Sequence, residues 1–245
     1  MRTAFANSFN IPPVRLAMKY GATTVKNWGE KMGISSWEGV SRYGVSITLG
    51  GVEVTMTDLA TAYGDIANEG NRVDLDPILS IKDSYGNTIY KKKTQPNPII
   101  DPGVAFIISD ILADNNARSI EFGLNTPLKI PGARVSVKTG TTDDKRDNWT
   151  IGYTPNVLVA TWVGNNDNSP MNPALASGIT GAAPMWNKIM TFMLQKVGTE
   201  SAVIVPSDVV KKYCNGMDRY FVRGTEDSVS CSAPPPVTIV PTISP

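Results

Sequence analysis

Between residues 135 and 164 the chain reads VSVKTGTTDDKRDNWTIGYTPNVLVATWVG, and three β-branched segments with short links leave little freedom in how they pair. VSVKTGT, NWTIGYTP and VLVATWVG are each long enough for one strand, and links this short join antiparallel neighbours. Val135 and Val137 alternate with Ser136 and Lys138, as on a strand with one buried face, so the pattern delivers the Lys138 cation to a defined face. Gly140 removes a side chain where another backbone can approach. Thr139 and Thr141 add hydroxyls that can bind a carboxylate, beside the charge of Lys138. An ordinary hairpin turn with a surface lysine also satisfies K-T-G, so the motif needs support from elsewhere in the chain.

The chain before these strands reads as helices. Residues 7–10, NSFN, form a polar loop entering a helix that runs through Ala17 and Met18 towards Gly21, with Pro12 and Pro13 in its first turn. Residues 23–32 predict a second helix, with Thr24 as its cap and Gly33 as its stop. Thr57 is expected to cap a third, whose Leu59, Ala62, Tyr63 and Ile66 share one face and which ends at Gly70. Leu79, Ile81 and the turn Tyr85-Gly86-Asn87 predict a hairpin running into Lys91-Lys92-Lys93, a solvated strand end. Asp101-Pro102 opens a strongly apolar helix. After the strands, residues 182–194 predict a helix that covers one sheet face, its Met185, Trp186, Ile189, Met190 and Met193 forming the apolar stripe, with the methionines and Trp186 in the core. Residues 232–245 are proline-rich and read as an extended or disordered tail. The whole is α+β, with few strands for a complete sheet.

Composition closes several routes. The 245 residues contain no histidine, which excludes a Ser-His-Asp triad, a Cys-His dyad and imidazole-ligated metal sites. Acid–base work falls to Lys, Asp, Glu or Tyr. A net charge of +1 gives no reason to expect a nucleic-acid partner, and no motif calls for a cofactor or metal. No window approaches the roughly 18 uninterrupted apolar residues that span a bilayer, and no secretory signal pattern follows Met1. Cys214 and Cys231 leave a disulfide and two free thiols equally open.

Ser8-Phe9-Asn10 precedes the first helix, and an S-x-N element upstream of K-T-G makes two of the three signature elements of penicillin-recognising serine enzymes. ANSFNIPPVRLAMKYG, ITLGGVEVTMTDLATAYGDIANEG and the strand region resemble, in that order, the transpeptidase domain of bifunctional penicillin-binding proteins. YFVRGTED, flanked by the two cysteines, is similar to a C-terminal segment that some members carry. The resemblance implies a partial serine β-lactamase/transpeptidase-like fold over residues 1–198, a small segment over 199–231 whose two cysteines can pair or stay free, and the tail 232–245.

It also implies roles. Ser8 matches the serine that relays a proton to the leaving group, and Asn10 the asparagine that hydrogen-bonds the substrate amide, with Phe9 a packing residue between them. Lys138 matches the lysine that tunes the relay and favours the substrate carboxylate; Thr139 and Thr141 match its hydroxyl ligands. Gly140 matches the glycine beside the ligand, and the Thr141 N–H would complete the oxyanion hole. Members of the family sit on the outer side of the bacterial cytoplasmic membrane. They cross-link peptidoglycan stem peptides ending in D-Ala-D-Ala, and β-lactams acylate the same serine.

The third element, S-x-x-K with the nucleophile and its base, occurs nowhere in these residues. Ser136 and Lys138 are too close, and Ser207 and Lys211 too far apart. The expectation is therefore the C-terminal portion of a transpeptidase domain whose parent is an active enzyme with its membrane anchor in the missing N-terminal part. The chain alone would be inactive, with apolar surface exposed where the missing strands and helix would pack. A non-catalytic envelope module that binds peptidoglycan peptides and a fragment of a D-Ala-D-Ala carboxypeptidase are the alternatives.

Overall fold

The computed structural model describes residues 1–93, 95–172, 177–199 and 204–231, so the expected tail lies outside the described residues. Helices α1 (Arg2–Ala6), α2 (Ile11–Tyr20), α3 (Ala22–Lys31) and α4 (Met56–Ala67) come first. Pro12 and Pro13 sit in the first turn of α2, where their missing N–H groups leave nothing unsatisfied. Two expected caps are wrong. Thr24 lies inside α3 and its hydroxyl donates to Tyr20 O at 2.7 Å, while Gly21 holds the N-cap position. For α4 the cap is Thr55 rather than Thr57: its Oγ1 accepts from Asp58 N at 3.1 Å, the three-residue reach that a cap requires. The short helix α1 carries no sequence signal that marks it.

Strands β1 (Ser80–Lys82) and β2 (Thr88–Lys91) form the expected hairpin. Its lysine run is only partly solvated, since Lys92 donates to Asp74 O at 3.1 Å. Helix α5 (Pro102–Ala113) follows, capped by the Asp101 carboxylate, and then α6 (Ser119–Phe122). Strands β3 (Ser136–Thr141), β4 (Asp147–Thr154) and β5 (Val157–Gly164) make one antiparallel sheet in that order, which leaves β3 on an edge. Helix α7 (Ala182–Val197) covers one face of the sheet, and α4 and α5 pack on the other. The β6 (Val209–Cys214) and β7 (Met217–Val222) hairpin lies against α5, with Tyr220 meeting Phe106 edge-on at 5.1 Å. Cys214 and Cys231 are joined in a disulfide, which settles the open choice between bridge and thiols.

The α7 face holds the main core: Val135, Val137 and Val159 from the sheet against Trp186, Met190 and Leu194, closed by Leu128 and Ile130. Register explains the set, because Val137, Gly152 and Val159 lie directly across from one another. A Cβ at Gly152 would come within 2.3 Å of the Trp186 ring, so glycine is what allows the indole to lie on the sheet. Full burial of a side chain such as Met190 stabilises by about 1.5–3 kcal/mol. The expected stripe is narrower than the pattern suggests: Met185 and Ile189 are more than two-fifths exposed.

On the opposite face the sheet is tied down by polar groups. Ser136 Oγ donates to Ser109 O of α5 at 2.8 Å, and the Ser109 and Tyr153 hydroxyls meet at 2.9 Å. Burial pushes the Tyr153 phenol up to about 12, so it stays a neutral hydroxyl at physiological pH.

Candidate active site

Strand alternation places Lys138 on the α5 side of β3, together with Ser136, and Thr139 on the α7 side. On the α5 side, Lys138 Nζ donates to Ser8 Oγ at 2.7 Å and to Thr139 O at 2.6 Å. Burial pushes the Lys138 ammonium down to about 8, because no carboxylate among its bonded partners repays the desolvation. An amine that titrates near neutrality and touches a serine hydroxyl can pass a proton in either direction.

Ser8 reaches this lysine across 130 positions of sequence because the loop that carries it is pinned from both sides. Arg2 anchors α1 to α5, paired with Asp110 and with Asp114 at 3.0 Å. Asn7 is buried and saturated: its Nδ2 donates to Thr3 O at 2.8 Å and Ala117 O at 2.6 Å, and its Oδ1 accepts from Glu121 N at 2.8 Å. The next residue, Ser8, then adopts φ of 61°, a left-handed conformation that costs a non-glycine residue about 1–3 kcal/mol. The Asn7 and Lys138 contacts hold it there.

A cleft of about 780 Å³ opens beside this contact. One wall is Ser8, Phe9, Asn10, Ile11 and Pro12; another is Thr139, Gly140 and Thr141 on the free edge of β3; Glu121, Phe122, Ser177 and Gly178 complete it. All the expected site residues except Lys138 line the cleft, and Lys138 stands behind Ser8. Phe9, expected to be buried packing, is 41% exposed and lines the opening. Asn10 stands at the N-cap of α2 but makes no capping bond with its side chain, leaving its amide for the cleft.

The edge of β3 offers what an extended peptide needs, backbone groups not consumed by a neighbouring strand. Gly140 keeps that edge low, and a Cβ there would meet Trp149 Cβ at 3.6 Å. Thr141 Oγ1 accepts from Asn148 Nδ2 at 3.1 Å, which orients the hydroxyl and leaves its proton free to donate. Asn148 in turn accepts from Ala182 N at 2.7 Å, so the first turn of α7 braces the end of the K-T-G-T strand. Across the cleft, a Cβ on Gly178 would meet Thr139 Cβ at 3.0 Å, so glycine lets that loop close on the strand. Asn7, Glu121, Ser177 and Gly178 were not foreseen. Asn7 adjoins the S-x-N element, but the others carry no local signal. Among the described residues no group of His, Cys, Asp or Glu can hold a metal ion, and no helix is long and apolar enough to cross a membrane.

The fold thus joins a serine–lysine contact to an edge strand of sequence K-T-G-T in a helix-backed antiparallel sheet. Residues 1–191 match the penicillin-binding protein transpeptidase domain family, and the chain belongs to that family. It is 28% identical over 243 residues to penicillin-binding protein 1A of Aquifex aeolicus, which covers 95% of this chain and 32% of that protein. It is 30% identical over 175 residues to penicillin-binding protein 1B of Vibrio cholerae, covering 71% of this chain and 22% of that protein. The chain thus spans a third or less of these relatives' lengths. In fold it superposes on penicillin-binding protein 1A from Haemophilus influenzae with a TM-score of 0.77 at 22% identity, covering 92% of this chain and 40% of that one. PonA1 from Mycobacterium tuberculosis follows with a TM-score of 0.70 at 23% identity, over 82% of this chain and 57% of its own.

Proposed function

We propose that these residues form the S-x-N and K-T-G-T half of a peptidoglycan D,D-transpeptidase site, working on the outer side of the bacterial cytoplasmic membrane. The observation that carries this reading is the 2.7 Å contact between Lys138 Nζ and Ser8 Oγ at the mouth of a cleft edged by a free strand. A stem peptide ending in D-Ala-D-Ala lies along β3, its terminal carboxylate on the Thr139 and Thr141 hydroxyls and its backbone amide on Asn10. The Thr141 N–H supplies one oxyanion donor. Ser8, with Lys138 behind it, carries a proton to the departing D-Ala amine.

The attacking serine and its lysine base come from an S-x-x-K element outside these residues, since none occurs within them. Loss of a serine nucleophile costs about a million-fold in a serine protease, so on this reading the chain by itself binds peptides and does not turn them over. β-Lactams occupy the same groove in the complete domain. Support comes from penicillin-binding protein A of M. tuberculosis, described as acyl-enzyme complexes with imipenem and with penicillin G.

Two measurements on the purified chain test the reading together. Fluorescent penicillin followed by denaturing electrophoresis is expected to leave no covalent band; a band would show that a nucleophile lies within these residues. A diacetylated Lys-D-Ala-D-Ala peptide is expected to bind without turnover, and binding should fall at least ten-fold in Lys138→Ala and in Thr141→Val. Undiminished binding in both variants would remove the carboxylate from β3.

A further inference from the structure

The K-T-G-T strand supplies part of the cleft lining, and α6 adds to the same lining a group of opposite sign that has no part in that chemistry. Glu121 of α6 lines the cleft and is exposed. Its backbone N–H donates to Asn7 Oδ1 at 2.8 Å, which ties this wall to the residue that precedes Ser8. The carboxylate is thus carried on a fixed frame rather than on a free loop. None of the ion pairs among the described residues engages it. The nearest arginine in sequence, Arg118, is buried and turned towards Val137 O at 3.3 Å instead.

Around Glu121 the lining is apolar on both sides. Phe122 is its neighbour on α6, and Phe9 and Ile11 stand on the α2 wall. A ligand that fills the cleft displaces water from between these groups, and a charge pair inside it is then screened less than one on open surface. The cleft is therefore bipolar: hydroxyls backed by an ammonium on the β3 edge, and an uncompensated carboxylate on α6. A lone carboxylate without further oxygen or nitrogen ligands is a poor metal site, and no metal-binding group of residues lies there. It suits a primary ammonium.

We propose that Glu121 receives a primary amine on the bound peptide, so that the cleft selects a ligand with a carboxylate at one pole and an ammonium at the other. The inference rests on the reading of Thr139 and Thr141 as the carboxylate wall, and it adds a determinant of which peptide is accepted. Glu121 touches no group of the proton relay. Its role is in affinity and selection.

Two peptides that differ by one acetyl group provide the test: Nα-acetyl-Lys-D-Ala-D-Ala, with a free side-chain amine, and its Nα,Nε-diacetyl counterpart. Titration of each into the full chain at low ionic strength is expected to show the free amine binding about two- to five-fold tighter, the size of a partly exposed ion pair. In E121Q that preference should vanish while the affinity for the diacetyl peptide is unchanged, and in the unaltered protein it should shrink with added salt. Equal binding of the two peptides, or a preference that survives E121Q, would overturn the proposal while leaving the carboxylate wall intact. If neither peptide binds, the carboxylate wall fails, and the role of Glu121 falls with it. Thr141→Val should weaken both peptides alike, which separates the two poles.

Discussion

The sheet with its α7 cover and the N-terminal helices that bring Ser8 to it are built to different standards. Trp186 and Met190 are wholly buried under the sheet, whereas Ile11, Met18 and Tyr20 of α2 are 69%, 71% and 59% exposed. The sheet presents Lys138 from a rigid strand held by its own ladder, but Ser8 depends on a short helix and a few side-chain bonds to α5 and α6. The Ser8–Lys138 contact therefore sits on the seam between a densely packed region and a thinly packed one.

The largest blow to this contrast should come from the dense side. Trp186→Ala empties the centre of the α7 core and is expected to cost about 3–5 kcal/mol in denaturant unfolding. Loss of less than 1 kcal/mol would mean that the sheet face is not the core. On the thin side, Asn7→Ala removes the side-chain partners of the Ala117 carbonyl and the Glu121 N–H, while Thr3 O keeps the residue 7 N–H, a cost of about 1–3 kcal/mol. It should also free Ser8 from its left-handed conformation, so the chemical shifts of the β3 edge should move at Lys138 while those of β5 stay put. Equal perturbation of both strands would show that the two regions are one cooperative unit.

A subtler probe is pH. The folded Lys138 titrates near 8 and the unfolded chain's lysine near 10.4, so between those values the unfolded state binds more protons and stability rises with pH. Below 8 the buried ammonium carries its full desolvation cost. The stability of the unaltered protein relative to Lys138→Met should therefore improve from pH 8 towards 10.5; a flat difference would mean that the ammonium is solvated. The smallest effect is expected at the exposed rim: Met18→Lys should change stability by less than about 0.5 kcal/mol. A large loss would show that this face is already covered.

What could be read from the chain follows the range of the interactions involved. The β3 register is legible because Val135, Val137 and the residues between them obey a period of two, and a one-residue slip would turn Lys138 into the apolar core under α7. The cap of α4 was misplaced by two residues because Thr55 and Thr57 are both threonines at a helix start, and only backbone geometry chooses the one whose hydroxyl reaches Asp58 N. Likewise Met185 and Ile189 share a stripe with Trp186, yet the buried line of α7 runs through Ala182, Trp186, Met190 and Leu194 and leaves them on its flank. Glu121 left no trace at all, because an acidic residue in a polar stretch looks the same on a cleft wall as on open surface.

By itself the sequence determined the strand that carries Lys138, Thr139, Gly140 and Thr141, the helix that covers it, and the absence of any S-x-x-K partner, since alternation, glycine placement and motif spacing are local properties. Only the tertiary structure decided that Lys138 meets Ser8, that Asn7 is pinned beside the serine's left-handed turn, and that Glu121 joins Thr139 and Thr141 in lining one cleft. Those outcomes rest on bonds between residues more than a hundred positions apart, as between Asn7 and Glu121 or Ser8 and Lys138. Their geometry exists only once the sheet has been built and the helices have packed against it.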